Sequence, residues 1–333
     1  MALIIPYFIP HQGCPHTCLF CNQTSITGTG KAGTARDIAP EIERWLPRKK
    51  ANEKAELAFY GGSFTCLPAS VQERYLRQVM PYIEGGEVSS IRLSTRPDCL
   101  SHDICRMLKK YRVKTVELGL QSMDDAVLCA AARGHSSQHG RNALTLLKKY
   151  GFQTGVQLLP GLPLETRASF IKGVKEIASL APDMVRLYPA VVLKNSGLEN
   201  EYKANRYRPL SLAQAVVWSL RAKEILEEKN IRVIRIGLQH SDDLAENYVA
   251  GPHHPAMGEL VEARRWFKRA RSALAACPDG KKLAAVISHR DLSAFNGPKK
   301  YNLTRLARLN LIDKLQLTVD KTMKRGNFKY VVC

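Results

Sequence analysis

The stretch Gly13-Cys14-Pro15-His16-Thr17-Cys18-Leu19-Phe20-Cys21 spaces three cysteines as C-x-x-x-C-x-x-C. Three thiolates on one short loop can hold three irons of a four-iron cluster, which leaves the fourth iron without a protein ligand and open to chemistry. A structural zinc site takes four protein ligands in two pairs, and no second C-x-x-C pair follows downstream. Phe20 adds an apolar group that either shields a cluster from water or simply packs the loop. His11 and His16 flank the loop, where hydrogen bonds to sulfur would tune a cluster.

Working outward, short apolar runs alternate with longer amphipathic ones, the pattern of strands followed by crossover helices. Strands are expected at 4–9, 57–60, 91–95, 115–118, 154–159, 184–188 and 233–236. Helices are expected at 37–48, 69–84, 101–110, 124–132, 138–149, 166–180 and 212–229. Ser211 and Gln214 form a capping box at the start of the last one. The class is α/β with a parallel sheet, and reactive groups are expected where strands end and loops begin. The chain divides into 1–240, a connecting loop and basic helix at 241–280, and a small basic extension at 281–333.

The strand ends carry unusual residues. Gly61-Gly62-Ser63-Phe64-Thr65 follows the second strand and offers exposed peptide groups. Ser94-Thr95-Arg96-Pro97-Asp98 closes the third, and Glu117-Leu118-Gly119-Leu120-Gln121-Ser122 the fourth. Ser94, Arg96, Glu117 and Gln121 are candidate ligand contacts, since packing alone would place turn residues there. Glu117 pairing with a cation such as Arg96 is the structural alternative. Arg133-Gly134-His135 is either a basic helix cap or a contact to a bound carboxylate. Pro160-Gly161-Leu162-Pro163 is a stiff turn after the fifth strand. Tyr188 and Gln239 are candidates for a substrate side, and no residue is assigned a catalytic role.

The cysteine spacing resembles the radical S-adenosylmethionine (SAM) superfamily. The resemblance implies a partial (β/α)6 TIM-like barrel and a [4Fe-4S] cluster on Cys14, Cys18 and Cys21. It also implies SAM on the open iron, cleaved reductively to a 5'-deoxyadenosyl radical, with electrons from a flavodoxin or ferredoxin. In it, Gly61, Gly62 and Ser63 resemble the motif that holds the methionyl amino group, and Pro160 and Gly161 the segment against adenine. Ile9 to His16, Cys21-Asn22-Gln23, Phe59 to Thr65, Arg92 to Asp98, Glu117 to Ser122 and Gly251 to Pro255 keep their order with the radical domain of the Elongator catalytic subunit. That resemblance covers about residues 1–262 and implies tRNA as substrate. After residue 280 only Gly297 and Gly326 stand as isolated glycines, so acetyl-coenzyme A chemistry is not carried over. An anaerobic coproporphyrinogen oxidase-like enzyme and a non-catalytic iron-sulfur RNA-binding protein are the alternatives.

The charge fits an anionic partner. The 333 residues carry 50 Lys and Arg against 30 Asp and Glu, a net charge of +20. From 281 to 333 there are twelve basic and three acidic residues. Arg264-Arg265-Trp266-Phe267-Lys268-Arg269-Ala270-Arg271 interleaves cations with aromatics, the pattern of a surface that contacts phosphates and stacks on bases. Nine cysteines, scattered singly outside the triad, speak against a disulfide framework and for the cytoplasm, with Cys66 as a buried thiol and Cys99 as an unpaired cysteine, buried or solvent-facing. No apolar stretch is long enough to span a bilayer.

Overall fold

In the computed structural model, residues 2–9, 12–22 and 38–333 are described; His11 lies outside them. The first part of the chain runs β1 (Leu3–Phe8), α1 (Ala39–Trp45), β2 (Ala55–Tyr60), α2 (Ala69–Glu84), β3 (Ser90–Thr95), α3 (His102–Lys110) and β4 (Val113–Gln121). It continues with α4 (Ser137–Lys149), β5 (Gln153–Leu158), α5 (Arg167–Leu180), β6 (Met184–Leu187), α6 (Leu212–Glu228) and β7 (Arg232–Ile236). The seven strands lie in that order in one sheet, every neighbouring pair parallel. This is the expected partial barrel, with β1 and β7 as its two edges among the described residues.

Leu57, Ala58 and Phe59 of β2 are all buried, as they are in a parallel strand covered on both faces. Helices close the outer layer with their apolar stripes. Val174 and Ile177 of α5, and Trp218, Ala222, Ile225 and Leu226 of α6, join the same core as Ile91, Val116 and Val185 from the strands. The Ser211–Gln214 capping box forms as expected, Ser211 N donating to Gln214 Oε1 at 2.8 Å and Gln214 N to Ser211 Oγ at 3.3 Å.

After the barrel come α7 (Met257–Ala275), β8 (Leu283–Ser288), α8 (Tyr301–Arg308), β9 (Leu315–Asp320) and β10 (Phe328–Val332). β8 is central in a three-stranded sheet, parallel to β9 and antiparallel to β10. The basic extension is therefore a folded layer with its own core of Trp266, Phe267, Leu274, Leu283, Ile287, Phe295 and Leu306. Asn302 Nδ2 ties it together by donating to the carbonyls of Ala263, Ala294 and Phe295 at 2.8, 3.2 and 3.0 Å. Ordered helix-to-sheet packing here was not visible in the sequence because charge dominates its composition.

Two expectations need correction. Trp266 and Phe267 are 1% and 2% exposed, so they do not stack on bases. The helical period turns them inward, while Lys268 and Arg271 of the same run are exposed. Cys66 and Cys99 are not separate thiols but a disulfide, with Cα atoms 5.1 Å apart across 33 residues of sequence. β2 and β3 are parallel neighbours, so the loops that leave their ends start side by side; single-residue spacing carries no trace of that. Among the described residues no helix is long and apolar enough to cross a membrane.

Replacing Trp266 with Ala should destabilise the chain by about 3–5 kcal/mol through the cavity it leaves. Urea unfolding of the full chain measures this, and a loss under about 1 kcal/mol would contradict the core position of Trp266.

Candidate active site

All parallel strands end on the same rim of the half-barrel, and a cavity of about 980 Å³ opens there. Cys14, Cys18 and Cys21 line it together with Gly61, Gly62, Ser63, Ser94, Glu117, Gln121 and Arg133, and across from them stand Tyr188, Arg235 and Gln239. Six of the nine sequence-predicted cofactor contacts thus share one space. Arg96, Pro160 and Gly161 are outside it. Arg96 is 1% exposed and makes two hydrogen bonds to Asp98 at 2.9 Å, which hold that carboxyl below the usual carboxylate range despite its burial. Gly161 O accepts from Tyr207 Oη at 2.6 Å, in an apolar wall made by Leu159, Leu162 and Phe20.

The cysteine loop is clamped from three sides. Ser63 N donates to Gln12 O at 2.9 Å, and a Cβ added at Gly62 would lie 2.3 Å from that same oxygen, so only glycine admits the approach. Leu19 N donates to Ala131 O at 3.1 Å, and Leu198 N donates to Leu19 O at 2.7 Å. The last contact comes from the start of a short helix (Gly197–Lys203) capped by Ser196, which sequence reasoning missed; the glycine, flush against Leu19, was its one signal. Arg133 resolves its own ambiguity: Nη1 donates to Cys18 Sγ at 3.3 Å and Nη2 to Gly119 O at 2.7 Å, while Nε is buried without a partner. It faces the cavity instead of capping a helix.

Gln121 reaches the cavity through a bulge. The β4–β5 register shifts between Gly119 and Gln121, and Gln121 sits at φ +70°, a left-handed conformation costly for a non-glycine residue. Its Oε1 accepts from Gln157 Nε2 at 3.3 Å.

Glu117 is held differently from the expectation. Arg92 Nη1 donates to its Oε1 at 3.0 Å, Arg186 Nη2 to the same oxygen at 3.1 Å and Nε to Oε2, and Tyr60 Oη donates at 3.3 Å. The partners are Arg92 and Arg186, not Arg96. They hold the carboxyl below its ordinary range against the opposing effect of burial, while burial and the Glu117 charge push the Tyr60 phenol well above its own. Arg92 also binds Glu56 at 3.0 Å. Sequence reasoning missed Arg92 and Glu56; charged residues between Ile91 and Leu93 or Ala55 and Leu57 were the available sign.

In the loop after β5, burial pushes the Glu165 carboxyl up to about 8, although it accepts from Gly161 N at 2.8 Å and Ser122 Oγ at 3.1 Å. The pair His135 and His139 stands at H-x-x-x-H spacing, but the structure separates their roles. His139 Nδ1 accepts from Ser136 N at 3.1 Å at the helix start, and His135 is buried.

The donor set fits the cofactors that the cysteine spacing implies. Among the described residues no three His, Cys, Asp or Glu groups converge as ligands of a single ion. Three thiols that each hold a different iron of a cluster need not converge. The glycine cradle and the buried, unpartnered Arg133 Nε beside Cys18 suit a carboxylate-bearing ligand next to such a cluster.

Comparison with known proteins agrees. The sequence matches the radical SAM superfamily over residues 8–177 and the radical SAM C-terminal domain over 182–268. The chain belongs to the radical SAM superfamily, whose members use a [4Fe-4S] cluster and SAM, and it is a radical SAM enzyme. It is 28% identical over 292 residues to the tRNA uridine(34) acetyltransferase of Methanocaldococcus jannaschii, covering 75% of this chain and 53% of that one. The chain thus spans about half the length of this relative. The Methanocaldococcus infernus Elp3 structure superposes with a TM-score of 0.64 at 22% identity, covering 80% of this chain and 63% of that one. Coproporphyrinogen III oxidase from Escherichia coli superposes at 0.50 and 18%, covering 68% of this chain and 53% of that one, a likeness of fold alone.

Two outcomes follow from the charged groups. Glu117→Gln leaves Arg92 and Arg186 without their shared carboxylate, and unfolding should show a loss of about 3–5 kcal/mol. For Glu165 the folded state holds a proton that the unfolded chain, near 4.3, has released. Stability contributed by this group is therefore full below about pH 4 and declines as pH rises toward 8. Urea midpoints between pH 5 and 8 should show that decline in the parent and a flatter profile in Glu165→Gln; identical profiles would contradict the assignment.

Proposed function

We propose that this enzyme modifies tRNA by radical chemistry. The observation that carries the reading is the rim cavity, where the cysteine loop, the glycine cradle and Arg133 meet a wall built from Tyr188, Arg235 and Gln239. The printed names of the relatives supply the substrate class: the archaeal relative is a tRNA uridine(34) acetyltransferase. The net charge of +20 supports a polyanionic substrate.

In this reading Cys14, Cys18 and Cys21 hold the cluster, and Gly61, Gly62, Ser63, Ser94, Gln121 and Arg133 hold SAM. The bound pair supplies a hydrogen-abstracting 5'-deoxyadenosyl radical when an electron arrives from a low-potential flavodoxin or ferredoxin. The chain's own part is to position and to exclude water. Phe20, Leu159 and Leu162 form the dry wall. The Glu117–Arg186–Tyr188 array fixes the substrate side, Arg186 Nη1 donating to Tyr188 Oη at 3.2 Å. Gln239 and Arg235 face a base entering from outside. A uridine at the wobble position is the target; the reading covers radical chemistry and leaves acetyl transfer aside.

The test is anaerobic reconstitution followed by dithionite and SAM. The parent should release 5'-deoxyadenosine, and Cys18→Ala should release at least 100-fold less, on the order of a lost catalytic constellation. Mass spectrometry of tRNA nucleosides from a strain lacking the protein should show one modified uridine missing. An unchanged nucleoside profile would overturn the tRNA reading.

A further inference from the structure

The five cations of the 264–271 run have three different fates. Arg265 forms ion pairs with Glu227 and Glu262, and Lys268 binds Glu224 at 2.9 Å. Both are neutralised by acids of α6 and α7. Arg269 is built into the fold: its guanidinium lies 4.8 Å from the Trp266 ring and 5.4 Å from Phe328, and Nη1 donates to Gly326 O at 2.7 Å. Arg264 and Arg271 have no carboxylate partner among the described residues.

Those two stand one turn before and one turn after Phe267 on the same face of α7. Arg305, from α8, lays its guanidinium 3.7 Å from the centre of the Phe267 ring, and the Arg264 guanidinium lies 5.9 Å from it. Arg305 likewise has no carboxylate partner among the described residues. Tyr301, a turn before Arg305 and 56% exposed, places its ring 5.5 Å from the same guanidinium. Burial, and then the charges of Arg264 and Arg271, lower the pKa of Arg305, as expected when like charges are gathered without a counterion.

Like charges gathered without a carboxylate beside them are costly unless a partner supplies the counter-charge. The geometry points to an RNA-binding surface on the α7–α8 face, where Arg264, Arg271 and Arg305 take backbone phosphates and Tyr301 stacks on a base. This rests on tRNA as the substrate class and locates a docking surface for it outside the cavity. Planar guanidinium forks match phosphate oxygens, and an exposed ring beside them suits an unstacked base. A membrane surface fits less well. A helix that lies on lipid needs an apolar face to insert, and Trp266 and Phe267, the apolar face of α7, are already in the core.

The experiment measures binding of an unmodified tRNA transcript to the full chain by fluorescence anisotropy across a range of NaCl. Arg305 stays in place because it packs on Phe267. Arg264→Gln combined with Arg271→Gln should lower the slope of log Kd against log salt by about 1.5, two phosphate contacts at about 0.7–0.9 each. RNA-independent release of 5'-deoxyadenosine should be unchanged. Lys268→Gln, on the same helix but paired with Glu224, should leave the slope as it is. An unchanged slope in the double variant, or an equal fall in Lys268→Gln, would overturn the surface. So would loss of binding to phosphatidylserine vesicles without loss of tRNA binding, or a parent chain that binds no tRNA. The tRNA reading itself is judged separately by the missing nucleoside, so a failed surface and a failed substrate class are distinguishable.

Discussion

A buried carboxylate inside a half-barrel has to be answered by cations, and Glu117 is answered from three other strands. Arg92 comes from β3, Arg186 from β6 and Tyr60 from β2, all converging on one residue of β4. Buried pairs of this kind add little net stability compared with apolar packing, but breaking them is expensive. Their effect is on specificity. Only one register of four parallel strands satisfies all the groups, and a slip of one residue would turn the side chains to the opposite face. Glu117, Arg186 and Tyr60 also line the rim cavity, so polar groups stand there in place of apolar packing.

That register sets the rim. With every strand pointing the same way, the cysteine loop after β1, the glycines after β2 and the bulge at the end of β4 arrive on one side. The close contact of Gly62 with Gln12 O, the strained Gln121 and the hydrogen bond from Arg133 to Cys18 each spend conformational freedom or burial at that place. Local irregularity concentrated at one rim is what a binding site looks like in an otherwise regular sheet.

Much of the frame was legible beforehand. Apolar runs of four to six residues separated by amphipathic segments are a local property, so seven strands and their crossover helices could be read from period alone. The cysteine spacing was equally local, and so were the glycine motif and the Ser211 cap. The failures share a cause. Cys66 and Cys99, Glu117 and Arg186, and the Gly197 helix start against Leu19 are pairs separated by 33 residues or more, and no linear spacing encodes them. The run from Arg264 to Arg271 failed for another reason: its composition was right, but the 3.6-residue period of the helix puts the adjacent Trp266 and Phe267 on the buried face.

The amino-acid sequence by itself pointed to the superfamily, because the C-x-x-x-C-x-x-C spacing is local and readable without the fold, and to the order of strands and helices, because period is local. Tertiary structure alone decided which charges are paired within the fold and which are not. Charge is additive along a chain, whereas neutralisation depends on distance. Arg265 and Lys268 meet the acids of α6 and α7; Arg264, Arg271 and Arg305 meet no carboxylate among the described residues.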